Sequence, residues 1–398
     1  MALVDQLARQ TDAKIVLVIL DGLGGFPGPD GRSELEAARL PVLDRLAAEG
    51  ALGLATPVGP GITTGSGPGH LALFGYDPIT NLVGRGILDI LGTGIELGPG
   101  DVAARLNFCT ADAAGTITDR RAGRIASPEG ERIVERLNRE LHLDGVDARV
   151  HHVKEYRAAL VLRGRDLYGA VSDTDPQQSG RPRLAARALD ARSQRVAALV
   201  NDFSDQAAHI LRDEPRANMV LVRGIDRYDA LPSMRDRFKL TPACIAVYPM
   251  YRGVSKLLGM DVLDAGENWR AQVQVLAKAW DAYDFFFIHY KYTDSRGEDG
   301  NFAAKVEALE EVDREFGRLV DLAPMVLAVC GDHSTPSTLA AHSWHPVPLL
   351  LRGRWVFPDA CTRFTEREAQ RGGLGHVRTQ DIMALLLAHA LKLDKYGA

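Results

Sequence analysis

KIVLVILDGLGG, residues 14–25, decides how the rest of the chain is read. An apolar run, Ile15 to Leu20, drives straight into Asp21 and a glycine turn. The same event recurs twice near the other end. Phe285-Phe286-Phe287-Ile288-His289 leads toward Asp294, and Met325 to Cys330 runs into Gly331-Asp332-His333. Continuous apolar runs of this length read as strands of a buried parallel sheet. Ligands of open α/β sheets bind at the carboxyl ends of such strands. Three distant segments are thus expected to deliver carboxylates and one histidine to a single sheet edge, which is how a metal site assembles.

Composition narrows the class. The chain has 398 residues, 46% hydrophobic and 25% charged, as in ordinary globular enzymes. That length predicts one large domain and a smaller one. A net charge of -5 offers no general attraction to nucleic acid or to anionic membranes. No segment reaches the roughly 18 apolar residues of a bilayer span. The N-terminal apolar run is flanked by Lys14 and Asp21 and is followed by no small-residue cleavage site, so no signal peptide is expected. Four widely spaced cysteines, Cys109, Cys244, Cys330 and Cys361, form no CxxC pair and point to reduced thiols in a cytoplasm.

Along the chain, residues 5–13 read as a short polar helix or lead-in and 15–20 as the first strand. A helix is expected over 36–49, although Pro41 argues that it starts there. TPVGPGITTGSGPG (56–69) is a loop that gives way to a helix near Ser66. From residue 108 to about 235 arginines crowd in, and short β-like pieces (157–164 and 218–224) alternate with polar helices. The expected architecture is therefore a discontinuous α/β domain, 1–107 with 236–398, interrupted by a smaller α+β insertion, 108–235. The strand pattern restarts at 243–248. Helices are predicted near 268–281, 302–322 and 380–393.

Asp21, Asp294, Asp332 and His333, together with Ser66, His342 and Glu298, form the constellation of interest. One aspartate at a strand end is as easily a helix cap. An Asp-His pair after an apolar strand and a glycine is stronger, and carboxylates with imidazole suit zinc, manganese or similar divalent ions. Two such ions close together clamp the attacking and leaving oxygens of a phosphoryl group. Ser66, in TGSGPGH, supplies a nucleophile at a helix start whose unpaired N–H groups suit phosphate oxygens.

GSGPGHLALFGYDP (65–78), ILDG (19–22), HYKYTDSRGEDG (289–300), GDHSTPS (331–337) and HSWHPVPLLL (342–351) together resemble the archaeal-type, cofactor-independent phosphoglycerate mutases of the alkaline phosphatase superfamily. DRRAGRI (119–125) and VSDTDP (171–176) extend the resemblance through the insertion. It implies a mostly parallel, alkaline-phosphatase-like sheet flanked by helices, and a cytoplasmic isomerase of glycolysis and gluconeogenesis. It also implies interconversion of 3- and 2-phosphoglycerate through a phosphoserine on Ser66, without 2,3-bisphosphoglycerate. Two divalent ions are implied, with manganese favoured and magnesium, cobalt or zinc as alternatives. By the resemblance Asp21, Ser66, Asp332 and His333 hold one ion, and Asp294, residue 298 and His342 hold the other.

At residue 298 the chain departs from that pattern. The family reads Gly-His-Asp-Gly where this chain has Gly297-Glu298-Asp299-Gly300. Glu298 is expected to ligate the second ion through oxygen, with His289 or His376 as substitutes. Guanidinium groups suit a substrate carrying phosphate and carboxylate. The candidates are Arg120, Arg121, Arg124, Arg157 and Arg223, with Asp175 orienting an arginine and Lys256 reaching substrate from the large domain. His70, just after Ser66, is read as orienting the loop or moving a proton. The rival reading is a metal-dependent phosphatase or phosphodiesterase of the same superfamily, which would release phosphate to water. Self-association is left open.

Overall fold

The computed structural model describes residues 3–28 and 30–397. Thirteen strands are found among them: β1 (Ile15–Leu20), β2 (Ala51–Thr56), β3 (Val102–Ala111), β4 (Ile117–Asp119), β5 (Asp147–Lys154), β6 (Arg157–Arg163), β7 (Met219–Arg227), β8 (Pro242–Ile245), β9 (Asp261–Val262), β10 (Phe285–Tyr290), β11 (Val326–Cys330), β12 (Val347–Gly353) and β13 (Gly375–Arg378).

Eight of them build one sheet in the order β13-β2-β12-β11-β1-β10-β8-β9. The three apolar runs that end toward acidic residues are neighbours at its centre. Ile15 faces Phe285 on one side and Val326 on the other, and the pairing is parallel throughout. Every residue of β1, β10 and β11 is buried, because helices cover both faces. Each fully buried Val, Leu, Ile or Phe side chain there contributes about 1.5–3 kcal/mol. Parallel register makes the chain leave β1, β10 and β11 at the same edge, so Asp21, Lys291 and Gly331 emerge side by side. The sheet is mostly parallel, as expected. Only β12 runs against both of its neighbours, β11 and β2.

The chain divides into two compact units, 1–82 with 231–398, and 83–230. The first expected boundary, 107/108, cuts through β3. That strand pairs along its length with β6 and β7 (Val102 with Leu162 and with Arg227) and cannot be shared between units. The second boundary lies at 230/231, not at 235/236. The smaller unit is an antiparallel sheet in the order β4-β3-β6-β5, with β7 on the other side of β3. Its helices Ser127–Glu140 and Gln194–Ile210 bring Ile133, Leu137, Val200 and Phe203 to a core shared with Leu106, Phe108, Leu160 and Val220.

Local corrections are few. The N-terminal helix stops at Leu7, and Ala8 instead bridges Leu393. The 36–49 segment is two helices, Glu34–Ala37 and Pro41–Ala48, the second opening on Pro41, whose missing N–H costs nothing at a first helical position. The C-terminal helix is Ile382–His389, shorter than expected. All four cysteines are buried and unpaired. Among the described residues no helix is long and apolar enough to cross a membrane.

Candidate active site

Asp21 is the first residue beyond β1 and is fully buried. Its turn requires glycine next: Gly22 has φ +62°, and a Cβ there would sit 2.4 Å from Thr335 Oγ1 and 2.8 Å from Asp294 Oδ1. The loops after β1 and β11 are pinned together by Lys305, a buried ammonium donating to the carbonyls of Gly22 (2.9 Å), Gly24 (3.2 Å) and Thr335 (2.8 Å). Those three bonds use all of its donors.

Ser66 is the first residue of the helix Ser66–Leu73, as its glycine-rich loop predicted. This helix can lie against the exit of β11 because Gly69 has no side chain; a Cβ would be 2.4 Å from the Asp332 carbonyl. Ser66 Oγ is 3.1 Å from His333 Nε2. His70 Nδ1 donates to the Ser66 backbone carbonyl at 2.8 Å, not to the hydroxyl. Burial and the neighbouring His289 push the His70 pKa down to about 3, so the ring stays neutral and orients the helix start.

His333 faces two groups of ligands. Thr335 Oγ1 lies 2.6 Å from Asp294 Oδ1 and 3.0 Å from His333 Nδ1. Its single hydroxyl proton goes to the carboxylate, so His333 donates from Nδ1 and its Nε2 lone pair is left to face the Ser66 hydroxyl. That lone pair meets Asp21 Oδ1 at 3.4 Å and Asp332 Oδ2 at 3.3 Å. Both of these oxygens are buried without a hydrogen-bond partner. Three acceptor atoms thus converge, an arrangement that a cation completes. Burial, reinforced by the charges of Asp21 and Asp294, raises the Asp332 pKa well above the carboxylate range. A divalent ion relieves that cost, and Asp21, Asp332 and His333 fit one.

The second group is Asp294, His333 and His342, whose ligand atoms lie within 4.8 Å of one another. His342 Nδ1 donates to the Thr64 carbonyl at 3.0 Å, which aims Nε2 at Asp294 Oδ1, 3.4 Å away. The two imidazoles stack with centroids 3.7 Å apart. Burial works to raise the Asp294 pKa, but the His342 contact and the charges of Lys291 and His333 hold it down at about 2. Glu298 lies beside this group, its Oε1 3.5 Å from His342 Nε2, with a half-exposed side chain. Despite its two nearby glycines the segment Tyr292–Glu298 is helical, so Asp294 and Glu298 do share a face. Of the expected substitutes, His289 packs instead beside Asp21 (3.3 Å), and His376 is exposed on the edge strand β13.

Three contributors escaped the sequence reading. Tyr251, in the helix Pro249–Leu257, donates its hydroxyl to Asp21 Oδ2, stacks on His289 at 3.7 Å and has Ser66 Oγ 3.5 Å away. Nothing local marks that tyrosine. Thr335 and Lys291, in contrast, sit inside GDHSTPS and HYKYTDSRGEDG. Lys256 is exposed in the last turn of the Tyr251 helix. In the smaller unit Arg120 grips Asp175 with two bonds, 3.0 and 2.6 Å, and Arg223 Nε lies 3.5 Å from the same carboxylate. Arg121 and Arg124 are exposed, and Arg157 lies over the Tyr156 ring.

Comparison with known proteins agrees with this geometry. A family model described as 2,3-bisphosphoglycerate-independent phosphoglycerate mutase matches residues 47–217. The chain is 52% identical over 398 residues to a "probable 2,3-bisphosphoglycerate-independent phosphoglycerate mutase" of Thermus thermophilus, covering 99% of this chain and 98% of that one. A protein of the same description from Aquifex aeolicus is 46% identical, with both chains fully covered. Among solved structures, a protein from Pyrococcus horikoshii superposes with a TM-score of 0.83 at 30% identity, covering 98% of this chain and all of that one. The cofactor-independent phosphoglycerate mutase of Thermoplasma acidophilum gives 0.71 at 31% identity, over 95% and 100% of the two chains. With half its residues shared along its whole length and a common fold, this chain belongs to the 2,3-bisphosphoglycerate-independent phosphoglycerate mutases.

Proposed function

We propose that the protein interconverts 3- and 2-phosphoglycerate by moving the phosphoryl group onto Ser66 and back. The observation that carries this is Ser66 Oγ at a helix N-terminus, 3.1 Å from a histidine shared by two clusters that fit divalent ions. Asp21, Asp332, His333 and Ser66 would hold one ion, and Asp294, His342 and Glu298 the other, with manganese suiting the oxygen-rich second set. When bound, such ions neutralise charge on the serine oxygen and on the phosphoryl group.

The chain's own residues do the rest. The first N–H groups of the helix Ser66–Leu73 have no helical acceptor and are available to phosphoryl oxygens. His70 fixes the Ser66 carbonyl, and with it the direction of the hydroxyl. Tyr251 keeps Asp21 turned toward the site. In the forward half-reaction the Ser66 oxygen bonds to phosphorus, the substrate's P–O bond breaks, and the released hydroxyl takes up a proton as Ser66 loses one. Reattachment at the other glycerate hydroxyl reverses these changes. Arg120 and Arg223, converging on Asp175, are assigned to the substrate's anionic groups, because bidentate guanidinium matches carboxylate and phosphate.

The test is product analysis with Mn²⁺-loaded protein. Pure 3-phosphoglycerate should equilibrate with 2-phosphoglycerate, label from the phosphoryl group should appear on Ser66, and Ser66→Ala should retain the fold and lose activity. Free phosphate as the main product would install the phosphatase reading instead.

A further inference from the structure

One cation stands inside the acidic cluster and has no part in the scheme above. Lys291, the residue after β10, places Nζ 2.5 Å from Asp294 Oδ2 and 3.1 Å from Asp21 Oδ2. These carboxylates belong to different ion clusters, so one ammonium spans both. The same Nζ lies 5.7 Å from the centroid of the Tyr251 ring. Its side chain is 26% exposed whereas the two aspartates are buried to within 1%, so the ammonium approaches from the solvent side. Asp21 and Asp294 are both buried carboxylates, and this one ammonium contacts both.

We propose that Lys291 is the resident cation of this site: it bridges the carboxylates of the two ion clusters when no metal is bound, yields as divalent ions enter, and then pairs with the phosphoryl group being transferred. The first step follows from the distances. Yielding follows from charge, because an ion on Asp21 or Asp294 neutralises the carboxylate that holds the ammonium and repels the ammonium itself. The last step follows from reach. A four-carbon stem rooted at the carboxyl end of the central sheet can swing a compact charge, and the nearest new anion is the phosphoryl group beside Ser66. The proposal rests on the phosphoryl-transfer reading for that last step only.

The test compares Lys291→Met and Lys291→Arg with wild type, using calorimetric Mn²⁺ titration of chelator-stripped protein without substrate. Removing a positive charge in contact with the ligands should tighten Mn²⁺ binding about tenfold in the Met variant, and the Arg variant should stay near wild type. Metal-free Lys291→Met should melt below metal-free wild type, with the gap closing at saturating Mn²⁺. At saturating Mn²⁺ its kcat should fall by about two orders of magnitude. Unchanged or weaker Mn²⁺ binding in a folded Met variant overturns the competition, and an unchanged kcat overturns the pairing with phosphoryl. Should the Met variant fail to fold, Lys291→Gln supplies the neutral side chain and is judged by the same two criteria. If wild type fails to equilibrate phosphoglycerates while the Mn²⁺ comparison holds, the functional reading falls and the internal cation stands.

Discussion

Glu298 is the residue at which this chain departs from the pattern it otherwise follows. Its carboxylate sits 3.5 Å from His342 Nε2, on the helical face it shares with Asp294. A carboxylate there adds a hard, anionic donor where an imidazole would be neutral, and favours manganese over zinc. Glu298→Ala should therefore weaken one of two Mn²⁺ sites by about 10–100-fold and leave the other intact. Glu298→His should restore binding and move the preference toward zinc. A two-site calorimetric isotherm indistinguishable from wild type in the Ala variant would remove Glu298 from the site.

At the scale of elements, Ser66 depends on how its helix seats on the sheet. Phe287, at the centre of β10, is fully buried. Its ring meets Phe74, just past that helix, edge-on at 4.9 Å, and meets His70 within it at 5.6 Å. Phe287→Ala should cost about 3–5 kcal/mol in urea unfolding, through lost burial and the cavity left behind. The cavity opens under the nucleophile's helix, so kcat should fall more than Mn²⁺ affinity does. Equal losses in both would show that helix and sheet ligands move as one block.

For the whole molecule, the division at 82/83 and 230/231 makes the insertion a candidate for independent folding. Its two ends are tied together within the unit. Gly84 N–H donates to Asp226 Oδ2 at 2.6 Å, and Tyr228 exchanges backbone hydrogen bonds with Gly100 and Asp101. It also has its own core. Expressed alone, residues 83–230 should unfold in one cooperative transition with a stability within the usual range of about 5–15 kcal/mol. A fragment cut at the sequence-derived boundaries, 108–235, should not, because it lacks the first half of β3 and leaves β6 and β7 unpaired there. Circular dichroism with urea titration of both fragments checks this, and a cooperative 108–235 fragment would refute the boundary.

The sequence by itself determined the class of fold, the three central strands, the helix at Ser66 and the aspartates at the strand ends. These are local signals: an apolar run long enough to be buried on both faces, closed by an acidic residue and a glycine turn, carries its meaning within a dozen residues. Tertiary structure alone decided the rest. Tyr251 meets Asp21 across 230 residues of chain, and Lys305 closes on Gly22 across 283. His333 lies against both ligand clusters only because β11, β1 and β10 lie side by side in that order. The antiparallel course of β12 and the true start of the insertion are equally invisible in composition, since both depend on which strand accepts which hydrogen bond. Lys291 shows the same limit: a lysine beside a strand end reads as surface charge until folding carries two carboxylates to its ammonium. Periodicity states which residues must be buried or presented, whereas the identity of their partners is set by strand order and register, which no local pattern encodes.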